Sequence, residues 1–280
     1  MRAAYLDLDG TLLGPDGALL RAQDGAWSVD GVRALERCHR AGVEVVLVSG
    51  RARGALAGDA RLLGVGSYVC ELGACVVVDG REHWSTGGLV PSAASGTVFE
   101  QVAASGAPAL LLEHFGGRLE EHEPWHRGRE VTHLLRGLVD VAVAQELLDS
   151  HGHGHLRLLD NGVVERRSLA LQALPEVHAY HLLPRDASKV AGVVLHQELR
   201  GLNPAACLAV GDSREDLALA ARVGTCVLVA NAAARDPEIG VMAAALPGVW
   251  MARGSHGAGV LEAVERWLAD GQWPQDPAWG

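Results

Sequence analysis

The sequence of 280 residues has no long apolar run, no signal-peptide pattern at its N-terminus and no excess of positive charge. A membrane-spanning helix needs about 20 consecutive apolar residues, so we expect no membrane span. The first residues enter a strand pattern directly, which differs from a secretory signal. The formal net charge of −10 argues against a nucleic acid or an anionic membrane as partner. It does not exclude a small anionic substrate, because a bound divalent cation inverts the local field.

The chain also lacks a paired cysteine motif. Its five cysteines are odd in number and form no C-x-x-C pair. They lie in apolar or helical surroundings, at positions 38, 70, 75, 207 and 226. We therefore predict reduced, buried thiols and a cytoplasmic location.

The two ends of the chain have the pattern of an α/β protein. Hydrophobic residues make up 49% of the sequence and charged residues 21%, which is enough apolar surface for a packed core. Continuous β-branched runs, such as the predicted strand 43–49, are typical of parallel strands that are covered on both faces. They alternate with helical spacing, as in the helix predicted between Ser28 and Gly42. The sequence predicts a doubly wound parallel sheet with a Rossmann-like arrangement.

The middle of the chain has a different character. It holds glycine- and histidine-rich loops together with predicted helices at 96–104 and 139–150 and predicted strands at 109–113, 156–159 and 163–168. The dipeptide Asn161-Gly162 predicts a turn between paired strands. We therefore predict a separate α+β insert over residues 89–183, and a core domain formed by residues 1–88 and 184–280.

The chemistry begins where the first predicted strand ends, at Asp7-Leu8-Asp9-Gly10-Thr11. Residues i and i+2 of a strand point to the same side, so Asp7 and Asp9 both face the region beyond the strand's carboxyl end. Open parallel sheets bind their ligands in that region. Two carboxylates this close repel each other unless a cation or a shared proton intervenes. An Asx-turn that only ends the strand is the structural alternative.

Further polar residues follow other predicted strands or begin a helix: Ser49, Lys189, Asp212, Asp216 and Asn231. In a parallel sheet these positions converge on one crevice. Carboxylates from several strands form an oxygen-rich site that suits Mg²⁺, and a lysine and a hydroxyl beside it would hold a phosphoryl group. The alternatives are an exposed helix lysine at 189, a helix N-cap at Ser49 and a turn cap at Asn231.

The order of these residues resembles the haloacid dehalogenase superfamily of phosphohydrolases. The matching motifs are Asp7-Leu8-Asp9-Gly10-Thr11, Ser49, Lys189 and Gly211-Asp212-Ser213-Arg214-Glu215-Asp216. The similarity covers residues 1–88 and 184–270. The long insert between the serine and lysine motifs looks like the large α/β cap of subfamily IIB, and residues 68–74 and 255–260 resemble that branch's ENGA strand and Gly-Val helix start.

The resemblance implies a Mg²⁺-dependent phosphatase that hydrolyses a phosphomonoester of a small metabolite, namely a sugar phosphate or a phosphoglycerate-linked sugar. It implies that Asp7 is the nucleophile, which forms an aspartyl-phosphate, and that Asp9 is the general acid and base. The implied metal ligands are Asp7, Asp9 through its backbone carbonyl, and Asp212, with Asp216 beside them. The implied phosphate-binding residues are Thr11, Ser49, Gly50, Lys189 and Asn231.

Two positions depart from the family pattern. Leu72 stands where the ENGA motif has asparagine, and Glu215 stands where an asparagine is common before the last aspartate. Arginines that the insert could supply toward a second substrate anion are Arg118, Arg127, Arg129, Arg136, Arg157, Arg166 and Arg167. Two other functions stay open: a phosphomutase that uses the same aspartyl-phosphate, and a receiver-like signalling module. The sequence does not determine the oligomeric state.

Two stretches of the insert invite a metal-site interpretation. The run His151-Gly152-His153-Gly154-His155 lies in glycine-rich sequence that would not hold ligands rigidly, so we predict a surface loop. The acidic and histidine residues between 113 and 126 are predicted to form a solvated rim of the insert rather than a zinc site.

Overall fold

The computed structural model describes residues 2–164 and 168–270. Its strands are β1 (Arg2–Asp7), β2 (Val43–Val48), β3 (Ser67–Cys70), β4 (Cys75–Val78), β5 (Arg81–Trp84), β6 (Leu119–Glu121), β7 (His133–Gly137), β8 (Leu156–Val163), β9 (His178–Pro184), β10 (Cys207–Gly211), β11 (Thr225–Leu228) and β12 (Val249–Met251). Its α-helices are α1 (Asp30–Arg40), α2 (Arg53–Leu63), α3 (Val98–Ala104), α4 (Ala107–His114), α5 (Val141–Ser150), α6 (Lys189–Arg200), α7 (Arg214–Leu217), α8 (Ala232–Arg235), α9 (Ile239–Ala244) and α10 (His256–Asp270).

The chain divides into two compact units. The core unit comprises Met1–Gly50, Ala57–His83 and Ser188–Gly280, and the insert unit comprises Arg51–Leu56 and Trp84–Ala187. The junctions after His83 and before Ser188 lie a few residues from the predicted domain boundaries, which stay a prediction, whereas Arg51–Leu56 lies inside the segment predicted as core. Within the described residues, no helix combines the length and the apolar character that a membrane span requires.

The core unit is built on a mixed, mainly parallel sheet. Among the described residues it has eight strands in the order β12-β11-β10-β1-β2-β3-β4-β5. The neighbouring pairs from β12 to β3 are parallel, and β4 pairs with β3 in the antiparallel direction. Every residue of β1 from Ala3 to Asp7 is buried, because the strand lies in the middle of the sheet. Tyr5 packs in the same apolar cluster as Val46, Val69 and Val193. The predicted α/β fold class is confirmed.

The insert unit has its own antiparallel sheet, in the order β6-β7-β9-β8. Leu135, Leu156 and Leu182 of this sheet are fully buried. The Tyr180 hydroxyl accepts a hydrogen bond of 3.2 Å from the backbone N–H of Val139, just before α5. An antiparallel sheet combined with helices is the predicted α+β insert.

The prediction of a strand at 109–113 is wrong, because these residues lie in α4. Gly106 precedes that helix with a left-handed φ of 85°, and Pro108 occupies its first turn. Proline in the first turn favours the start of a helix. A short apolar run such as Leu110-Leu111-Leu112 fits a helix and a strand equally well.

The predicted turn at Asn161-Gly162 is also wrong, because both residues lie inside β8. Pairing with β9 continues from Asp160 to Val163 across a shift of register, and Gly162 has a φ of 89°. The dipeptide therefore forms a bulge within a strand rather than a hairpin turn. Part of the strand predicted at 163–168, together with Arg166 and Arg167, lies outside the described residues.

Other predicted elements occur with shifted ends. The helix predicted from residue 186 begins at Lys189, because the Ser188 hydroxyl caps it by accepting a hydrogen bond from the Ala191 N–H. The helix predicted at 213–221 is shorter: α7 ends at Leu217, and a 3₁₀ turn follows over Ala218–Arg222. The five cysteines are buried free thiols, as predicted.

Candidate active site

The parallel register of three strands brings the predicted polar residues to one edge of the core sheet. Asp7 pairs with Val48, so Ser49 follows directly beyond it on the neighbouring strand. On the other side β1 runs beside β10, which ends at Gly211 and leads into Asp212. The carboxyl ends of parallel strands thus place Asp7, Ser49 and Asp212 at the same edge.

Three of the predicted acids form a buried cluster. Among the described residues, carboxylate oxygens of Asp7, Asp212 and Asp216 all lie within 4.8 Å of one another. Each residue is at most 6% exposed. Three carboxylates in so small a buried volume need positive charge nearby.

Lys189 supplies part of that charge. Its Nζ donates a hydrogen bond of 2.7 Å to Asp7 Oδ1 and another of 2.7 Å to Asp216 Oδ1. The lysine side chain is 6% exposed, which excludes the alternative of a solvated helix lysine. Lys189 is also the single lysine of the sequence.

Protonation of the cluster reflects this excess of negative charge. Burial raises the pKa of the Asp7 carboxyl; Lys189 opposes the rise, and Asp216 and Asp212 add to it. Burial likewise raises the pKa of Asp212. Burial alone would lower the pKa of Lys189, but the carboxylates of Asp216 and Asp7 outweigh it and raise that pKa. The cluster therefore favours an added cation or proton.

The first turn of α7 fixes Asp216. Its Oδ2 accepts hydrogen bonds from the Ser213 hydroxyl at 2.5 Å and from the backbone N–H groups of Ser213 and Asp212 at 3.2 and 3.3 Å. A Cβ on Gly211 would lie 2.1 Å from the Cβ of Asp216. The close approach of Asp216 therefore requires glycine at position 211, the first residue of the Gly-Asp-x-x-x-Asp motif.

The loop after β1 closes against the same acids. Gly10 has a φ of 87°, and a Cβ there would lie 2.4 Å from Asp212 Oδ2. Two buried oxygens beside this turn, Asp7 Oδ2 and Thr11 Oγ1, have no hydrogen-bond partner among the residues that the structure describes. Buried oxygens of this kind are normally satisfied, so a bound ligand is the natural partner.

The Asp9 side chain is not part of the acidic cluster. Asp9 lies just beyond β1 and is exposed to solvent. Glu215, next to Asp216, is half-buried and is also not part of the cluster. The extra carboxylate at 215 therefore leaves the group of Asp7, Asp212 and Asp216 unchanged.

Ser49 is 1% exposed, and its backbone is fixed on both sides. Its N–H donates to the carbonyl of Val69, and its carbonyl accepts from the N–H of Leu72. Leu72 is buried with a left-handed φ of 59°. A leucine thus takes a backbone conformation in which asparagine is more common. The phosphate-binding roles of Ser49, the adjacent Gly50 and Thr11 stay predictions.

Asn231 bonds two backbone groups of the site. Its Nδ2 donates a hydrogen bond of 2.8 Å to the Gly10 carbonyl, and its Oδ1 accepts one of 3.0 Å from the His256 N–H. The phosphate-binding role of Asn231 stays a prediction.

Three residues that shape the site were not predicted from the sequence: Arg235, Gly73 and Gly192. Arg235 donates a hydrogen bond of 3.1 Å to Asp212 Oδ2. A Cβ on Gly73 would lie 1.7 Å from the Ser188 carbonyl oxygen, and one on Gly192 would lie 2.9 Å from Gly73 Cα. The backbone of α6 therefore packs directly on the turn after β3, which positions Lys189. Gly192 lies inside a predicted helix, and a glycine in that place is the sequence signal that could have indicated this close packing.

Part of the predicted solvated rim of the insert unit is buried. His122 and His126 are buried, at 5% and 7% exposure, and His126 Nδ1 bonds the Leu134 carbonyl at 2.9 Å. Arg136 is buried and pairs with Glu120 at 2.6 Å. The prediction of a solvated rim is wrong for His122 and His126, because strand β7 packs beside them. His151 and His155 lie in an exposed loop, as predicted.

Comparisons with known proteins agree with this arrangement. A family model described as sucrose-6F-phosphate phosphohydrolase matches residues 165–268. A phosphoglycolate phosphatase from Metallosphaera sedula is 26% identical over 94% of this chain and 97% of its own length.

Two solved structures have a similar fold. The sucrose-phosphatase from Synechocystis sp. PCC6803, in complex with sucrose and phosphate, gives a TM-score of 0.62 at 16% identity over 96% of this chain and 99% of that one. A phosphatase of the HAD enzyme superfamily from Bacteroides thetaiotaomicron gives 0.63 at 15% identity over 96% of this chain and 95% of that one. The chain is thus similar in sequence to phosphatases and similar in fold to a solved phosphatase of the HAD enzyme superfamily.

Proposed function

We propose that this chain is a Mg²⁺-dependent phosphatase that hydrolyses a phosphomonoester of a small metabolite through an aspartyl-phosphate at Asp7. The observation that carries the proposal is the buried cluster of Asp7, Asp212 and Asp216, bridged by Lys189. Three carboxylates outweigh the charge of one lysine, so the cluster suits an anionic substrate only when a cation is also bound.

The donor set fits Mg²⁺, which prefers a few carboxylate oxygens and retains several waters. Asp7 Oδ2 is buried without a protein partner among the described residues and is available as a ligand. Asp212 and Asp216 would provide further carboxylate oxygens, and Asp9 would contribute its backbone carbonyl. When bound, Mg²⁺ would mask the negative charges of the carboxylate and the phosphate, which otherwise repel each other.

Asp7 is the proposed nucleophile. Its carboxylate oxygen attacks phosphorus, and the bond between phosphorus and the leaving oxygen breaks. Lys189 favours the ionised form of Asp7 by direct hydrogen bonding, although burial outweighs it and raises the pKa of Asp7; bound Mg²⁺ would add to the effect of Lys189. Because the attacking group is held in place, the reaction avoids the entropic cost of bringing a free nucleophile to the phosphate.

Asp9 is the proposed general acid and base. In the first step it donates its proton to the leaving alkoxide, which departs as an alcohol. In the second step it accepts a proton from water, whose oxygen attacks phosphorus and releases inorganic phosphate and free Asp7. Its exposed position next to the cluster leaves it accessible to both the alcohol and the water.

The phosphoryl oxygens need positive or N–H partners as charge spreads over them. Lys189 provides the ammonium group. Thr11 Oγ1 is buried and lacks a partner among the described residues, which makes it a suitable donor. Ser49 and the Gly50 backbone lie at the end of β2, beside Asp7, and are proposed to complete the phosphate-binding set.

Relatives point to two classes of substrate. The matched family model is described as acting on sucrose-6F-phosphate, and the Metallosphaera relative is named for phosphoglycolate. We propose a small phosphorylated metabolite of one of these classes, either a sugar phosphate, as the sequence predicts, or a short phosphorylated acid.

The test is a phosphate-release screen with Mg²⁺ over a panel that contains sugar phosphates, phosphoglycolate and p-nitrophenyl phosphate. Asp7→Asn is the blank, because it keeps the shape of the side chain and removes the nucleophile. We expect release with wild type that stops on chelation of Mg²⁺ and is absent in the variant. Equal release from Asp7→Asn, or release that persists in excess chelator, would contradict the proposal.

A further inference from the structure

We propose that His256 and Asn231 are positioning residues that hold the peptide carbonyl of Gly10 and thereby set the position of Asp9. This inference rests on the proposed function, in which Asp9 moves the protons. It concerns residues that lie far from Gly10 in the sequence and meet it through the packing of α10.

The three residues form a closed set of hydrogen bonds, which we call the Gly10 clamp. Asn231 Nδ2 and His256 Nδ1 both bond the Gly10 carbonyl oxygen, at 2.8 and 3.1 Å. The backbone N–H of His256 donates to Asn231 Oδ1 at 3.0 Å. The Asn231 side chain therefore holds the backbone of His256 as well as the loop.

The loop needs such support because its centre is flexible by composition. Gly10 adopts a φ of 87°, a conformation that glycine enters and leaves at little cost. Either side of it is anchored: the Leu12 N–H donates to the Asp7 carbonyl, and the Leu13 N–H to the Leu8 carbonyl. Asp9 precedes Gly10 in this turn, so rotation of the Gly10–Thr11 peptide, whose carbonyl is held by these bonds, would move the Asp9 carboxylate.

His256 is held in a conformation that it would not adopt unaided. Its φ is 50°, in the left-handed region, and the residue is 8% exposed. The next residue, Gly257, packs so closely that a Cβ there would lie 2.7 Å from the Gly31 N. The first turn of α10 is thus fixed by backbone packing, and it directs the imidazole at Gly10. Strained residues of this kind concentrate at functional sites.

The clamp also determines which imidazole nitrogen carries hydrogen. A carbonyl oxygen only accepts, so Nδ1 must be the donor. Both the neutral ring with hydrogen on Nδ1 and the charged ring meet this requirement.

The predicted consequence is specific to proton transfer. An alkyl phosphate needs Asp9 to protonate its poor leaving group, whereas p-nitrophenolate leaves with little assistance. Release of the Gly10 carbonyl should thus lower kcat/KM for alkyl phosphates and largely spare p-nitrophenyl phosphate. A residue that only stabilises the fold would lower both values equally.

His256→Gly is the main variant, because it removes the donor and relieves the positive φ. We expect kcat/KM for the best alkyl phosphate of the panel to fall at least about tenfold, and that for p-nitrophenyl phosphate less than about threefold. His256→Asn should restore the alkyl rate, because asparagine tolerates this φ and carries a donor at the position of Nδ1. Asp16→Gly relieves a φ of 58° in a residue outside the clamp. It should leave unchanged the ratio of kcat/KM for the alkyl phosphate to kcat/KM for p-nitrophenyl phosphate.

Asn231→Ala provides a second, independent break of the clamp and should change the ratio in the same direction. Melting temperatures of all variants show which of them are folded. Equal losses on both substrates, or an Asn variant no better than the Gly variant, would overturn the inference while the proposed function stands. A wild-type protein that releases no phosphate from either substrate would refute the proposed function, and the inference with it.

Discussion

Lys189 Nζ lies 2.7 Å from Asp7 Oδ1, although the two residues are 182 positions apart in the chain. The contact joins the first turn of α6 to the end of β1 in the core unit. It also sets up a competition, because the ammonium occupies one oxygen of a carboxylate that a metal ion would bind. Lys189→Met tests this competition, and Gly73→Ala tests the packing that holds the lysine in place.

Replacement of Lys189 by methionine should separate metal binding from catalysis. The variant loses the cation that stabilises the transferring phosphoryl group, so kcat should fall at least about 100-fold. It also loses the charge that repels a metal, so the Kd for Mg²⁺ should fall about tenfold. Isothermal titration with Mg²⁺ and initial rates measure the two effects.

Arg200→Met is the matched control, since Arg200 lies at the other end of α6 and pairs with Asp79 at 2.7 Å. It should change neither value by more than about twofold. Weaker binding of Mg²⁺ to Lys189→Met would show that the lysine organises the carboxylates instead of competing for them.

Replacement of Gly73 by alanine should displace α6. A Cβ at this position would lie 1.7 Å from the Ser188 carbonyl oxygen, whereas one at Gly64 would have open space around it. Both glycines have positive φ, at 95° and 68°, so the backbone cost of about 1 kcal/mol is common to the two variants. We expect the free energy of unfolding to drop by about 3 kcal/mol more in Gly73→Ala than in Gly64→Ala, as measured by urea denaturation. Equal losses would mean that the helix accommodates the methyl group without strain.

The sequence allowed the core sheet and its acidic cluster to be predicted because both follow from local rules. Buried parallel strands read as continuous β-branched runs, and the ends of such strands meet at one edge, which brings Asp7 and Asp212 together. Lys189 could be placed near them from the order of the motifs.

Contacts of Asn231 and His256 could not be predicted in this way. An amide and an imidazole can each hydrogen-bond a backbone group or a phosphate, and which partner they have depends on where α10 packs. The insert was harder for a related reason. Its short apolar runs, such as that of α4, fit either type of secondary structure until tertiary packing selects one.

The insert unit should lose stability in mild acid. Burial lowers the pKa of His133 from 6.5 to about 4 and His126 adds to the shift, whereas the hydrogen bond between His133 Nε2 and the Phe99 carbonyl opposes it. A histidine with a lowered pKa stabilises the folded state above pH 6.5, and this stability is lost as the pH falls toward about 4. Between pH 7 and pH 5 we expect a loss of about 2 kcal/mol from this residue.

His133→Phe tests that assignment, because the ring shape is kept and the proton site is removed. Loss of the hydrogen bond lowers the stability of the variant at both pH values. The informative quantity is therefore the change in stability between pH 7 and pH 5. Hydrogen exchange of β7 and β9 at pH 7 and pH 5 should show a smaller difference in the variant than in wild type. An unchanged slope would assign the acid sensitivity to other groups, such as the buried His181, whose pKa burial also lowers.

Mg²⁺ should stabilise the folded protein through Asp212. A cation that binds only the native state adds about 2.7 kcal/mol at 100 times its Kd, which raises the melting temperature. We expect this rise in wild type and its loss in Asp212→Asn, in which one charged ligand is neutralised. Asp236→Asn, which alters a carboxylate paired with Arg214 at the surface, serves as control and should keep the full rise. A full rise in Asp212→Asn would place the metal elsewhere.

The most direct test of the account is to trap the aspartyl-phosphate. Asp9→Asn should still accept a phosphoryl group from p-nitrophenyl phosphate but should hydrolyse the intermediate slowly, because no base activates water. After an acid quench, mass spectrometry should find one added phosphate on the peptide that contains Asp7, and none in the Asp7→Asn, Asp9→Asn double variant. Phosphate on a different residue, or no adduct while the single variant still releases p-nitrophenol, would contradict Asp7 as the nucleophile.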